Sequence, residues 1–347
     1  MEITELIRSQ VLPQYGITEE AMISPHGSGL INNTWKVSAR EENYILQRIN
    51  ENVFKKPEDI AYNIDLVAKH LEEHHPDYFF VSPLFATGNK SYVRTPGGFF
   101  RLIPFVEGSF SFDVVNEPQQ AFEAARQFGR FTHLLSDLDA TELKVTIPAF
   151  HDLTLRYQQF LAAIDEGNKQ RVEEAKADID SLLGYSTIVD KYQELKENPE
   201  VQLRVTHHDT KISNVLFDSN GKGLCVIDLD TIMPGYFFSD VGDMMRTYLC
   251  PASEEEKDLS KICVRQEYYD VIVEGYLSEM EGDLSEREKQ LFYFSGQFMI
   301  YMQALRFMTD HLNNDVYYGA RYPGHNYLRS KNQLVLLEQF EKLKRVL

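Results

Sequence analysis

The stretch from Val205 to Asp230, VTHHDTKISNVLFDSNGKGLCVIDLD, constrains this chain more than any other. His207, Asp209, Lys211 and Asn214 stand in the pattern H-x-D-x-K-x-x-N, and Asp228 and Asp230 follow a run of strand formers. Between them, Val215, Leu216 and Phe217 lead into a turn at Ser219-Asn220-Gly221 and Leu224 to Ile227 lead out, which predicts a hairpin. Folding it brings Asn214 beside Asp228.

That spacing suits phosphoryl transfer. The chemistry needs a carboxylate that accepts or orients the proton of the acceptor hydroxyl, and oxygen ligands that hold magnesium against nucleotide phosphates. Asp209 suits the first task, Asn214 and Asp228 the second. Lys211 would set a positive charge near the moving phosphoryl group. The plainer alternative has His207 and Asp209 capping a turn and Asp228 and Asp230 ending a surface strand. Three elements agreeing in order and spacing favour the catalytic reading.

The 347 residues suffice for two domains or one two-lobed domain, with 43% hydrophobic and 25% charged residues as in ordinary globular proteins. Asp plus Glu outnumber Lys plus Arg by 53 to 35, a formal net charge of −18, which argues against nucleic-acid or anionic-membrane partners. Cys225, Cys250 and Cys263 lack metal-ligand spacing and read as reduced thiols of a cytoplasmic protein. The start, MEITELIRSQ, is too acidic for a signal peptide. Ser295, Gln297, Gln303 and Arg306 interrupt the apolar run Leu291 to Met308, as expected of a buried core helix rather than a membrane span.

Along the chain, residues 2 to 22 read as a polar helix and a short second one, broken by Pro13 and Gly16. Two strands are expected around the turn Gly27-Ser28-Gly29, where glycines would let backbone amides approach a phosphate; a plain hairpin turn remains the alternative. A third strand, Tyr44 to Ile49, carries Gln47 and Arg48 where a protein kinase has its phosphate-pairing lysine. A helix follows Pro57, with Ile60, Ile64, Val67 and Leu71 on one face. Its Glu58 or Asp65 could pair with Arg48, Asp65 being preferred because it shares a turn with the apolar face. Phe79 to Phe85 and Gly98 to Val106 complete about five strands. The second of these ends at Ile103, Pro104, Phe105 and Val106, either a hinge that meets adenine or an ordinary strand-to-helix connection.

From Glu117 the pattern is helical, with helices expected at Phe150 to Ile164, Arg171 to Leu183 and Ser186 to Leu195. After Asp230, the segment Ser239 to Arg246 reads as a helix start whose Asp240 and Asp243 could bind back to catalytic-loop amides. Arg306, inside the apolar helix, needs a partner: a core salt bridge or a substrate.

Taken together, these residues resemble the aminoglycoside phosphotransferase and choline kinase superfamily. SGLINNTWKV, YILQRIN, RVTHHDTKISNVLFD, VIDLDTIMPG, DVGDMMR and RYPGHNYLR resemble, more closely, the bacterial N-acetylhexosamine 1-kinases. The resemblance implies an α+β, two-lobed protein-kinase-like fold. Residues 1–103 would form a nucleotide-binding lobe of five antiparallel strands and a helix, 104–110 a hinge, and 111–347 a helical lobe. It implies phosphoryl transfer from ATP, with Mg²⁺, to the anomeric hydroxyl of N-acetylglucosamine or N-acetylgalactosamine.

By the same resemblance Asp209 matches the base, with Asn214 and Asp228 the magnesium ligands. Asn32, Asn33, Thr34, Arg306 and Tyr317 fall in the sugar-pocket pattern, and His207, Asp230 and Asp243 support the site. Gly27, Ser28, Gly29, Arg48, Asp65, Ile103, Phe105 and Val106 would meet ATP or hold what does. Two departures stand out: Leu30 beside the sugar-facing turn, and Arg48 in place of the kinase lysine. Two alternatives are a kinase of cationic alcohols such as choline or an aminoglycoside, and an inactive kinase fold that binds a partner.

Overall fold

A computed structural model describes residues 2–18, 20–27, 31–40 and 42–344. The chain opens with α1 (Ile3–Leu6), which continues through a π turn at Ile7–Val11 and a 3-10 turn at Leu12–Tyr15. Gly16, at φ 71°, stops it in the left-handed conformation that glycine adopts without strain. One apolar-faced segment thus takes the place of the polar helix and short second one expected over residues 2 to 22, because Leu6, Ile7, Val11 and Leu12 are buried in the core under the sheet.

Next come β1 (Met22–Pro25), β2 (Asn33–Ala39), β3 (Glu42–Arg48), α2 (Pro57–His74), β4 (Val93–Thr95) and β5 (Gly98–Pro104). They form a five-stranded antiparallel sheet in the order β1-β2-β3-β5-β4. The strand expected at Phe79 to Phe85 is absent: that segment has no ladder, and Pro83 has no N–H to give one. Leu84 N donates to the Leu102 carbonyl at 2.8 Å, and the outer strand is β4 instead.

The period of two along a strand decides which residues share a sheet face. Val37, Leu46, Phe100 and Leu102 lie in the core with the α1 segment. Gln47 and Arg101, paired directly across β3 and β5, occupy the opposite face.

Beyond β5 the chain forms α3 (Pro118–Leu134), α4 (Leu153–Glu166), α5 (Lys169–Glu174), α6 (Lys176–Gly184) and α7 (Thr187–Glu197). The helix expected over Arg171 to Leu183 is therefore two, broken at Ala175. Then follow β6 (Arg204–Thr206), β7 (Val215–Phe217), β8 (Gly223–Val226), β9 (Met233–Gly235), α8 (Phe237–Tyr248), α9 (Gln266–Met280), α10 (Glu286–Lys289), α11 (Phe292–Leu312) and α12 (His325–Phe340). β7 and β8 pair as the hairpin the sequence predicts.

Two compact units emerge. The first runs to Phe110 and adds Asp137–Pro148 and Leu216–Pro234; the second holds Ser111–Ser136, Ala149–Val215 and the chain from Gly235 onward. This division differs from single cuts at 103 and 111, because two later segments are bonded into the sheet unit. Buried Asn63 on α2 is the clamp. Its Nδ2 donates to the carbonyls of Lys144 and Ile232, each at 2.8 Å, and its Oδ1 accepts from Lys144 N at 2.8 Å. Phe110 and Phe217 exchange backbone bonds of 3.0 and 2.8 Å, tying the end of the predicted hinge to the hairpin.

In the second unit, α3 and α9 pack where glycines remove side-chain bulk: a Cβ on Gly129 would lie 2.9 Å from the Tyr276 carbonyl, and one on Gly275 2.5 Å from that of Phe122. α11 is buried along most of its length against α4, α8 and α12. Among the described residues, no helix is long and apolar enough to cross a membrane.

Candidate active site

In the second unit the H-x-D-x-K-x-x-N segment is a loop between β6 and β7, held by the first turns of α8. Asp240 Oδ2 accepts from His207 N at 2.9 Å and its Oδ1 from His208 N at 2.7 Å. Asp243 Oδ2 accepts from Thr210 N at 2.9 Å, and Tyr248 OH donates to the Thr210 carbonyl at 2.5 Å. Asp240, Asp243 and Tyr248, spaced for one helix face, thus satisfy loop backbone groups that would otherwise be buried unbonded. His208 takes a positive φ of 65°, a costly conformation for a non-glycine residue that these bonds sustain.

Burial pushes the Asp240 carboxyl up to about 6, even though the nearby His207 and the two N–H bonds favour its charged form. Burial also raises Asp243, opposed by the Arg246 guanidinium 3.0 Å from its Oδ1. Arg246 reaches Glu254 at 3.0 Å, and Glu254 binds Arg329 as well. Despite its burial, those two arginines hold Glu254 below the usual carboxylate range.

Within the loop, Lys211 Nζ lies 3.1 Å from Asp209 Oδ2, and Asn214 Nδ2 donates to the Asp209 carbonyl at 2.8 Å. That bond commits the amide nitrogen inward and leaves Oδ1 as the Asn214 atom available to a cation. The His207 ring packs edge-on against Phe128, centroids 5.1 Å apart, and its Nδ1 faces Asp209 N at 3.4 Å. His208 bonds Thr206 Oγ1 through Nε2 at 2.8 Å and faces His151 Nδ1 through its own Nδ1 at 3.3 Å. Burial, then the nearness of His208 and Arg306, drives the His151 pKa well down, which favours its neutral form.

The same unit holds a cleft of about 740 Å³ whose lining includes Arg156, Arg306, Asp310, Tyr317 and Tyr318. Phe150 joins it to the loop: its ring lies 6.4 Å from that of His208, and the Arg306 guanidinium lies 5.9 Å from the Phe150 ring centre. Arg306 also lies 6.0 Å from the Tyr317 ring and 5.5 Å from that of Tyr318, and donates to Gln303 Oε1 at 3.2 Å. Its partners among the described residues are thus aromatic faces and an amide rather than a core carboxylate. Buried Asp310 accepts from Tyr317 N at 2.7 Å and Tyr318 N at 2.9 Å, so it fixes the loop that carries both tyrosines.

In the first unit, Asp228 adopts φ 60°, ψ 59° and opens a 3-10 turn, Leu229–Thr231. Asp230, inside that turn, is clamped from two sides. Arg101 Nη1 stands 2.5 Å from its Oδ1, and Asn32 Nδ2 donates to its Oδ2 at 2.6 Å. Arg101 also donates to Gln47 Oε1 at 2.9 Å from Nε and 2.7 Å from Nη2.

These bonds revise several sequence expectations. Asn32, read as a sugar contact, uses its amide on Asp230 and its Oδ1 on Asn50 N at 2.9 Å, so both ends are committed within the unit. Asn33 and Thr34 lie on β2, opposite Arg48 and Gln47. Arg48 pairs with Phe100 and lies over Gly98, on the face away from Asp230, so strand alternation counts against it as the phosphate contact and favours the Gln47 face. Asp65 does not pair with Arg48: it accepts from Ser91 Oγ at 2.9 Å, and burial raises its pKa. Glu58 pairs with Arg94 at 2.6 Å.

Gly27 is exposed at φ 75°, while Ser28, Gly29 and Leu30 lie outside the described residues. Ile103 lies near the end of β5 on the Arg101 face, and Phe105 and Val106 follow the strand half-buried; Phe105 N donates to the Asn43 carbonyl at 3.0 Å and its ring carries Lys36 Nζ at 4.1 Å. Sequence reasoning missed Arg101, Arg156, Asp310 and Tyr318. Only Arg101 left a trace, as a charge in the apolar strand GFFRLIPF that requires a buried partner.

A five-stranded antiparallel sheet with one helix, followed by a mostly helical part that presents an H-x-D-x-K-x-x-N loop, defines the kinase-like phosphotransferases. Residues 23–276 match the phosphotransferase enzyme family, and the chain belongs to it. Solved structures share the fold at low identity. A microcompartment-associated aminopropanol kinase superposes with a TM-score of 0.64 at 15% identity, covering 98% of this chain and 96% of its own. A spectinomycin phosphotransferase, solved with ADP and spectinomycin, gives 0.60 at 11% identity with 98% of each chain covered. A choline kinase from Cryptosporidium parvum Iowa II gives 0.59 at 14% identity, covering 98% and 94%.

Proposed function

We propose that this phosphotransferase transfers the γ-phosphate of ATP to the anomeric hydroxyl of an N-acetylhexosamine, N-acetylglucosamine or N-acetylgalactosamine, giving the sugar 1-phosphate. Asp209 accepts the hydroxyl proton as the oxygen attacks phosphorus, and Lys211, 3.1 Å from it, offsets charge on the transferring group. Asn214 Oδ1 and the Asp228 carboxylate are the all-oxygen donors that would hold Mg²⁺, which neutralises phosphate charge when bound. Within the first unit, Gln47, Ile103, Phe105 and Val106, with Gly27, are the proposed nucleotide contacts, and Arg101 positions Gln47.

The observation that carries the acceptor assignment is the cleft joined to the loop through Phe150, with Arg156 and Arg306 in its lining beside Tyr317 and Tyr318. Arginine forks bind hydroxyl and acetamide oxygens, and the tyrosines offer a sugar ring apolar faces. Aromatic rings would also serve a cationic alcohol, the class of choline and aminopropanol; Arg156 and Arg306 oppose one, while of the lining carboxylates Glu166 and Asp310 the latter is committed to the Tyr317 and Tyr318 amides.

ATP consumption should be measured over N-acetylhexosamines, plain hexoses, choline and aminoglycosides, with Asp209→Asn as control. The expected pattern is turnover with an N-acetylhexosamine that the substitution lowers by about 10² to 10⁴-fold. Turnover on choline alone would sink the sugar assignment, and near-normal activity of Asp209→Asn would sink the proposed base.

A further inference from the structure

At the C-terminal end of α2 the sheet unit gathers metal-ligating side chains. One imidazole nitrogen each from His70 and His75 and a carboxylate oxygen of Asp137 lie within 4.8 Å of one another. His70 is only 9% exposed, and its Nε2 stands 2.9 Å from Asp137 Oδ1. That nitrogen is enclosed yet makes no hydrogen bond of proper geometry, so it and the carboxylate converge off-axis. Donors of a tetrahedral zinc site, with bonds of about 2.0–2.1 Å, sit roughly 3.3 Å apart, a spacing comparable to the 2.9 Å between His70 Nε2 and Asp137 Oδ1.

We infer that His70, His75 and Asp137 form a binding site for one divalent transition-metal ion of the zinc class. Two imidazoles and one carboxylate are borderline donors that favour zinc, cobalt or nickel over magnesium and calcium. The backbone aims them: His75 N donates to the Leu71 carbonyl at 2.8 Å and closes the helix, turning its ring back toward the His70 side. Water completes the fourth position. The His74 ring lies 4.6 Å from that of His70. Bound metal would staple segment 137–148 to α2 at a second point beyond the Asn63 clamp on Lys144, and so stabilise the unit that carries Asp228 and Asp230.

The test is Co²⁺ binding to the untagged full-length protein in excess Mg²⁺, followed by equilibrium dialysis and visible absorption, then displacement by Zn²⁺. The proposal expects one Co²⁺ per chain with nitrogen-ligand absorption, retained in Asp228→Ala. It expects weakening beyond about 100-fold in His75→Gln and in Asp137→Asn, since even outer partners of a metal ligand are worth 10 to 100-fold. His75→Gln should keep the circular dichroism of the parent and lose only the metal-dependent rise in Tm. Absence of a stoichiometric site, binding that survives both substitutions, or binding removed by Asp228→Ala but not by His75→Gln overturns the inference.

Discussion

Arg101 Nη1 stands 2.5 Å from Asp230 Oδ1, and both residues are only 3% exposed. The pair ties the middle of β5 to the turn that begins at Asp228, and Gln47 and Asn32 take up remaining donors and acceptors. The position of Asp228 is therefore set from the sheet. Replacing Arg101 by Met would strand the Asp230 carboxylate, and removing one partner of a buried pair costs about 3–5 kcal/mol. Urea unfolding should show this loss, and Arg101→Met with Asp230→Leu should recover much of it. Equal stability of Arg101→Met and the parent would contradict the pair's role.

Arg48 lies on the other face of the same sheet, opposite Phe100. Arg48→Gln is accordingly expected to leave the KM for ATP within about twofold, while Gln47→Ala, which removes the carbonyl that holds Arg101, raises it by on the order of tenfold, about 1.4 kcal/mol. Steady-state kinetics with ATP varied distinguishes the two; the reverse ranking would restore Arg48 as the phosphate contact.

Arg306 faces Phe150, Tyr317 and Tyr318 in the cleft. Arg306→Ala should raise the KM for the acceptor about tenfold or more and spare that for ATP, since the loss of a planar donor fork weakens acceptor binding. Arg306→Lys should recover little of it, because an ammonium cannot reproduce the fork. Unchanged acceptor KM in both variants would remove Arg306 from the pocket.

Asp240 is raised to about 6 by burial, above the ordinary carboxylate value of 3.8. Between those values the folded state binds more protons than the unfolded chain, so stability falls as pH rises through the window. The span corresponds to at most about 3 kcal/mol. Asp240→Asn should flatten this part of the profile. The check is denaturant unfolding of both proteins from pH 4 to pH 7; identical slopes would show that the carboxyl does not titrate there.

Gly242 marks the approach of α8 to α11: a Cβ there would lie 2.3 Å from the Ser295 carbonyl. Gly242→Ala should destabilise the second unit by about 1–3 kcal/mol, the usual cost of overpacking. Since α8 also carries Asp240 and Asp243, part of the activity should fall with it. Unchanged Tm would mean that the helices separate without strain.

What could be read in the chain was local. The order Asp209, Lys211, Asn214, hairpin, Asp228 lies within one continuous segment, so spacing sufficed to recognise it, and the family match extends over the residues that contain it. The sheet with its helix and the buried character of α11 were legible for the same reason, since periodicity is carried by neighbours in sequence. The Phe79 to Phe85 expectation went astray because strand-like composition does not supply ladder partners.

Tertiary structure alone decided the partnerships. Asn32 and Asp230 are nearly two hundred positions apart, and |i−j| is 198 for their bond. Nothing local to Arg101 names Asp230, nothing in α2 indicates that Asn63 would hold Lys144, and His70 and Asp137 meet only through the fold. A buried charge in a sequence announces that it needs a partner; which partner it finds depends on sheet register and on the return of distant segments to the same core.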